Sequence, residues 1–578
     1  LYAQCLNAGG DAYTELSEPV QYRLIRAVVE GLALDHNAPL VTKPGFIQVL
    51  QHLAGELKAA RIHRDDFAQA VASMGGEPRL RELAQVYAAY QERLQAQGWA
   101  DRAGRGWLAV EALQARAPSV AQDWPLLVVD GFDSFTSVQL AMLGVLARRV
   151  GEMLITLTGT AGSASRPLVH RRFNRTRRRL EEAIGVTATS LPQGTSHHVP
   201  ALAHLEAGLF RGDAAKVGND GALELVEAPD RAAEVRAALR WLKARVVEDE
   251  MQLGDVALLA RSVAPYRPFI LQTAGEFAMP VRLVDGLPLR SNPAITALLD
   301  LLRLVLPAAE TDPEPALPRR LVIEAWRSPY FDWSALPHAG ATEPVGIRPK
   351  DADLLDTAAR WGRVISGLGQ WDKVLNALAA LPGPDEPGDG RDQDDERRIP
   401  AGVPRGLAAN SLRARFRRFL QRLAPPEGER SYREFVGWLE TLVGADPAAS
   451  SARYPLPDEP TSLKMVERVR AAGDEIADRD VAALLALKDI LRGLVWAEQA
   501  LDADQTVTYP RFFEELTGAV DAVTYQLPHH PEREEILVAD VIQARGVAFR
   551  AVAVLGLAEG EFPAAIGEDP FLRDADRR

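Results

Sequence analysis

Four residues stand where short apolar runs begin or end, and their types suit phosphate chemistry. Asp130 follows Leu126-Leu127-Val128-Val129. Arg261 follows Val256-Ala257-Leu258-Leu259-Ala260. Arg545 and Gly546 lie in the turn Gln543-Ala544-Arg545-Gly546, ahead of Ala551-Val552-Ala553-Val554-Leu555. A carboxylate at a strand end beside a phosphate site can hold Mg²⁺ directly or through water. An arginine at a strand exit can reach a γ-phosphate across an interdomain cleft. The densest basic cluster, His170 to Arg179, adds Arg171, Arg172 and Arg175 as candidates for phosphate contacts, with Phe173 turned inward. Each has a plainer alternative. Asp130 can be a turn or capping residue, and Arg261 a surface ion pair. The basic cluster can be a solvated helix bridged to Glu181 and Glu182.

The elements that must position these residues follow from pattern. Ala551 to Leu555 is short, apolar and Val-rich, bounded by a polar turn and by Gly556, and reads as a buried strand of a parallel sheet. The loop Gly556 to Pro563 then lies at a carboxyl strand edge, where open α/β sheets bind ligands. Leu126 to Val129 reads as another buried strand, with a helix over Ser137 to Arg149 and a strand over Met153 to Thr158. Asp230 can cap a helix carrying Val235, Leu239 and Leu242, with Glu234 in its first turn. Upstream, Phe46, Val49, Leu50, Leu53 and Leu57 form one helical stripe; Leu80, Leu83, Tyr87, Tyr90 and Leu94 form a second. Phe416 and Phe419 face a core, with Arg413, Arg415, Arg417 and Arg418 around them. Val481 to Trp496 is a strongly apolar helix. Pro382 to Pro400 reads as a mobile loop. His197 and His198 lack a neighbouring acid or Cys pattern and are weak metal candidates.

The chain of 578 residues exceeds one core, so about three or four domains are expected. Apolar content of 47% and charged content of 25% fit a globular protein. A single cysteine, Cys5, excludes within this sequence a disulfide framework, a Cys-rich zinc site and a four-cysteine iron–sulfur cluster. No apolar run reaches bilayer-spanning length, so no membrane association and a cytoplasmic location are expected. The net charge of -13 is not that of a simple nucleic-acid binder, but local basic tracks on an acidic body leave DNA open as a partner.

The run from Val538 to Pro563 resembles motif V of superfamily 1 helicases, in the form found in the AddB-type chains of AddAB/RexAB helicase–nucleases. The residues that carry the likeness are Ala544, Arg545, Gly546, Phe549, Val552, Val554, Gly556, Leu557, Glu559, Gly560, Phe562 and Pro563, continued by Glu568 to Arg578. Asp130-Gly131-Phe132-Asp133-Ser134-Phe135-Thr136 is similar to the family's motif II, at the Walker B position. The stretch through Arg261 looks like motif IV, and Arg327-Ser328-Pro329-Tyr330-Phe331 resembles a further family segment. The resemblance implies an α/β protein with two RecA-like (P-loop NTPase-like) parallel-sheet domains and large helical insertions. Residues 1–222 would form part of the first with a helical insertion, and 223–306 the start of the second. Residues 307–535 would be a mainly helical insertion, and 536–578 the return to the second domain. It implies catalytic roles for Asp130, Arg261 and Arg545, nucleotide contacts at Asp130, Arg261 and Gly546, Mg²⁺ at Asp130, and DNA contacts at Arg171, Arg172 and Arg175.

The same likeness implies a helicase-like, DNA-scanning portion of a subunit that processes double-strand breaks for recombinational repair, with DNA and an AddA-like helicase–nuclease subunit as partners. ATP and Mg²⁺ would serve the full-length protein, and an iron–sulfur cluster would belong to a nuclease region beyond Arg578. Gly131 stands where many active helicases carry the glutamate that polarises water, and no G-x-x-x-x-G-K-[ST] loop occurs in the sequence. The resemblance therefore implies a middle fragment whose own ATPase and nuclease activities are weak or absent. The alternative is a catalytically inert helicase-like scaffold that binds DNA or a partner helicase.

Overall fold

The computed structural model describes residues 1–9, 13–41, 43–116, 119–159, 167–191, 199–309, 312–334, 346–383, 400, 402–444, 463–500, 506–528, 534–564, 571–573 and 576. The protein is α/β, with small, mostly parallel sheets among many helices. It divides into two compact units. One comprises Leu1–Val284 with Pro531–Arg578, and the other Asp285–His530. No helix among the described residues is long and apolar enough to cross a membrane. His197 and His198 fall outside the described residues, as does most of Pro382 to Pro400.

The first unit holds a four-stranded parallel sheet in the order Ala551–Leu555, Val256–Ala260, Ile536–Asp540, Val281–Leu283. Val256–Ala260 is paired on both sides and almost wholly buried, which explains a sequence with no polar alternation. The helix Arg231–Glu248 packs on this strand and on Ala551–Leu555. Asp230 caps it as its sequence predicts, accepting a hydrogen bond from the Ala233 amide at 2.8 Å. Ala551–Leu555 departs from its reading as a buried strand. It pairs with Val256–Ala260 alone among the described strands, so it is an edge. Ala551 and Leu555 turn inward, while Val552 and Val554 on the opposite face are each 38% exposed. Two valines on the open face of an edge strand cannot be told by residue type from two in an interior one.

Leu126–Val129 needs the same correction. It pairs in parallel with Glu152–Ile155 in a two-stranded sheet. Leu127, Val129, Met153 and Ile155 pack inward on the core of the Ser137–Leu146 helix. Leu126 and Val128 point away and are 49% and 53% exposed. Thr136 starts that helix with a capping box. Its hydroxyl accepts from the Gln139 amide at 3.2 Å, and its own amide donates to the Gln139 side chain at 2.8 Å.

The helical part of this unit follows its stripes. Phe46, Leu50, Leu53 and Leu57 are buried, as are Leu80, Leu83, Tyr87, Tyr90 and Leu94. Gly98 ends the second helix at φ 65°, a left-handed position that glycine occupies without strain. Two acids missed by the stripe reading fix how these helices meet. Asp101 is buried against the Lys58 ammonium and also accepts from the Tyr90 hydroxyl (2.6 Å) and the Gly104 amide (2.6 Å).

Glu82, on the Pro78–Gln97 helix, gathers four donors from one loop. They are the amides of Asp35 (2.8 Å), His36 (2.6 Å) and Asn37 (2.9 Å), and the Asn37 side-chain amide (2.9 Å). Burial alone would raise its carboxyl, but these hydrogen bonds together bring it below its ordinary range. Glu82→Gln is therefore expected to destabilise the fold by about 1–3 kcal/mol at neutral pH, because one acceptor oxygen becomes a donor facing donors. A depressed carboxyl stabilises above its unfolded pKa of about 4.3, and that contribution is lost as pH falls through the folded value. The gap between wild type and variant should narrow in acid. Urea unfolding at neutral and acid pH, with amide exchange at Asp35 to Asn37, reads both effects.

The second unit is mainly helical, with two short antiparallel strand pairs. Its aromatic core is centred on Phe416 and Phe419, both fully buried. Ring centroids lie 5.0 Å apart for Trp371 and Phe416, and 5.0 Å for Trp333 and Phe419. The arginines around that helix are largely engaged within the unit. Arg413 reaches Asn376 at 2.7 Å, Arg415 the Gly346 carbonyl at 3.1 Å, and Arg417 Asp372 at 3.5 Å. Asp480, fully buried, accepts from the Asn292 side chain (2.8 Å), the Tyr330 hydroxyl (3.1 Å) and the Arg479 guanidinium (2.7 and 3.1 Å).

Candidate functional site

The site is built from loops at the carboxyl ends of the parallel strands of the first unit. Ile536–Asp540 ends in a carboxylate that accepts from the Val263 amide at 2.7 Å, tying the segment after Arg261 to the neighbouring strand. The chain then turns through Val541 to Gly546. The Gln543 amide donates to the Asp540 carbonyl at 2.8 Å, and the Asp540 amide donates to the Gln543 side chain at 2.9 Å. Gly546 leaves the turn at φ 78° with open space around it, so glycine is favoured there by backbone conformation rather than by crowding.

From this turn Arg545 meets Asp133, in the loop after Asp130. Arg172, on the Pro167–Ile184 helix, meets the same carboxylate oxygen at 3.1 Å and reaches the Ser134 hydroxyl at 3.1 Å. The Thr176 hydroxyl donates to the Asp133 carbonyl at 2.9 Å, and Arg179 donates to the Ser137 hydroxyl at 3.2 Å, so one helix braces the loop at several points. Asp133 has 13% of its side chain exposed. Burial alone would raise its carboxyl, but the Arg545 hydrogen bond and the charges of Arg172 and Arg545 together hold it below the ordinary range. It is therefore ionised at neutral pH, paired with two cations and unsuited to act as a general base while they hold it.

Asp130 lies elsewhere. It is exposed, and it accepts a hydrogen bond from the Thr156 hydroxyl across the two-stranded sheet. Arg261 is exposed one residue beyond its strand. Arg171 and Arg175 are exposed on the helix that carries Arg172. Thus, of the residues singled out by sequence, the structure brings Arg172 and Arg545 together around Asp133. Asp130 supplies one carboxylate where a magnesium ion takes several oxygens, and no group of three or more His, Cys, Asp or Glu able to hold a metal occurs among the described residues.

The loop after Ala551–Leu555 is held by residues that sequence reasoning assigned to other tasks or passed over. Glu234, expected to serve the helix dipole, also accepts from the Gly556 amide at 2.7 Å. Glu561 accepts from the Tyr266 hydroxyl at 2.7 Å and from Arg231 at 2.6 Å, and Arg231 lies 5.6 Å over the Tyr266 ring. A Cβ on Gly556 would fall 2.8 Å from the Tyr266 hydroxyl, so this glycine is required by close approach as well as by its φ of 74°. The available signal was the acid spacing of the Gly556 to Pro563 loop, opposite an arginine and a tyrosine that open helices.

A family model described as "ADDB, N-terminal" matches residues 7–206. The B-type component of the ATP-dependent helicase/deoxyribonuclease of Moorella thermoacetica is 27% identical, over 99% of this chain and 47% of its own length. Its counterpart in Symbiobacterium thermophilum is 25% identical, over 99% and 48%. The counterpart in Desulforudis audaxviator is 24% identical, over 92% and 44%. The chain spans about half the length of these curated relatives. The expectation of a middle fragment gains no support from them, since a model of the family's N-terminal part falls on residues 7–206. Residues 7–206 thus match the N-terminal domain of AddB proteins, and almost the whole chain is similar to these helicase/deoxyribonuclease B subunits.

Proposed function

We propose that this chain is the helicase-like, DNA-scanning body of an AddB-type subunit, which works with an AddA-like partner on DNA ends during double-strand-break repair in the cytoplasm. The observation that carries the reading is the meeting of the motif-V-like turn with the motif-II-like loop, through Arg545 and Asp133. Two loops at strand ends, far apart in sequence, converge as a motor's coupling loops would. In this reading the Leu126–Val129 and Glu152–Ile155 pair belongs to a first RecA-like domain. The four-stranded sheet belongs to a second, and residues 307–535 are its helical insertion. ATP and Mg²⁺ serve the complete protein, Asp130 contributing one oxygen ligand. Arg261 and Arg545 respond to phosphate charge, while Arg171, Arg172 and Arg175 face DNA phosphates.

A second reading, an inert helicase-like scaffold, is favoured by Gly131 at the place of the water-polarising acid and by the absence of a phosphate-cradling loop from the sequence. Both readings share one expectation for the purified chain. It should bind single-stranded DNA in a salt-sensitive, sequence-independent way, while hydrolysing ATP poorly and leaving linear DNA intact in Mg²⁺. Robust DNA-stimulated ATP hydrolysis or Mg²⁺-dependent cleavage would overturn the assignment of this stretch as a non-catalytic body. Failure to bind single strands at low salt would remove the DNA role itself.

A further inference from the structure

We propose that Arg172 and Arg545 form a phosphate-binding site and that Asp133 is its built-in, displaceable counter-ion. Both guanidiniums converge on the same carboxylate oxygen of Asp133, Arg172 at 3.1 Å. Two planar cations directed at one oxygen make the arrangement a phosphate oxygen would receive. The cluster is also unbalanced, with two positive charges against one negative. Of the neighbouring acids, Glu181 is paired with Arg177 at 3.8 Å, and Asp130 is directed to the Thr156 hydroxyl rather than to either arginine. Exposed Arg171 and Arg175 extend the positive field along the same helix.

The guanidiniums are placed to change partner. Arg172 has 59% of its side chain exposed and Arg545 38%, so both are reachable from solvent. Asp133 is held by its backbone carbonyl, which accepts from Thr176, so its carboxylate can be exchanged without unpinning the loop. A pyrophosphate or terminal phosphate carries more charge and more acceptor oxygens than a carboxylate, and a backbone phosphodiester presents two charged oxygens of its own, so either competes for both arginines at once. Release of Asp133 would then uncouple the turn before Ala551–Leu555 from the loop after Leu126–Val129. Anion binding is in this way converted into a change of contact between the two loops. The proposal rests on the phosphate-contacting role given to Arg172 and Arg545 above, and it adds the group that opposes that role.

The phosphate can come from a nucleic-acid backbone or from a nucleotide. The test therefore measures binding of a labelled oligothymidylate, and separately of inorganic pyrophosphate, to the wild-type chain and to Asp133→Asn. Asp133→Glu keeps the charge and serves as the control, and thermal unfolding checks each variant. The expected result is a gain of about three- to tenfold on Asp133→Asn, little change on Asp133→Glu, and loss of the gain when Arg172→Ala and Arg545→Ala are added. A gain with the oligonucleotide identifies a backbone phosphate, and a gain confined to pyrophosphate identifies a nucleotide-type ligand. Wild-type oligonucleotide binding that Asp133→Asn leaves unchanged overturns the counter-ion proposal while the DNA reading stands. A pyrophosphate gain in a chain that binds no oligonucleotide supports the counter-ion and removes the DNA reading. A gain that survives removal of both arginines overturns the site.

Discussion

Asp101→Ala should lower the stability of the unit containing it by about 3–5 kcal/mol, the range expected when one partner of a buried ion pair is removed. Asp101 and Lys58 have 1% and 2% of their side chains exposed. Without the carboxylate, the Lys58 ammonium sits over the Tyr90 ring, 4.7 Å from its centre, with no buried counter-charge. The Tyr90 hydroxyl and the Gly104 amide lose their acceptor in the same step. Burial already pulls Lys58 below its ordinary range, and Asp101 opposes that pull. In the variant the opposition is gone and the ammonium is lowered further. The unfolded chain then binds more protons than the folded one, so the stability of Asp101→Ala rises with pH toward the unfolded lysine value of about 10.4. The deficit against wild type should shrink in mild alkali, as read by urea unfolding. A deficit under about 1 kcal/mol, or one that grows with pH, would show that the pair does not organise these helices.

Asp480→Ala should cost about 2–4 kcal/mol in the other unit. Its carboxylate is fully buried and receives Asn292, Tyr330 and Arg479. Asn292 is fixed by this bond while its own oxygen accepts from the Ala294 and Ile295 amides at the start of the Pro293–Arg303 helix. Loss of Asp480 thus loosens a helix cap as well as two buried donors. Arg479, a third exposed, recovers part of the loss by turning to water. Asp480→Asn retains an acceptor and should fall between wild type and alanine. Amide exchange over Ala294 to Thr296 should accelerate most, and unchanged protection there would argue against the cap's dependence on Asp480.

These two hubs mark where sequence reading stops. Helical stripes, strand segments and the Asp230 cap were legible because each is written in residues within a turn or two of one another. Leu83, Tyr87 and Tyr90 repeat at helical spacing, and the short apolar run Val256 to Ala260 declares a strand. Asp101 and Asp480 look like any surface acid, because what buries them arrives from distant segments. The same holds for the sheet. The residues of Ala551–Leu555 declare a strand but not its place in the order, so its edge position and its exposed valines were invisible. At the site, the strand ends pointed to Asp130 and Arg545 separately. Asp133, the residue that joins Arg545 to Arg172, carried no pattern beyond lying three residues after Asp130.

The central claim is that Arg545, at the junction of the two strand-end loops, couples phosphate to the work of an AddB-type subunit. Its most direct test is DNA-dependent ATP hydrolysis and degradation of linear DNA by the full-length protein with its partner subunit, comparing wild type with Arg545→Ala. With folding intact by thermal unfolding, both rates should fall about tenfold or more, corresponding to about 1.4 kcal/mol of lost coupling. Unchanged hydrolysis and unchanged degradation would contradict it.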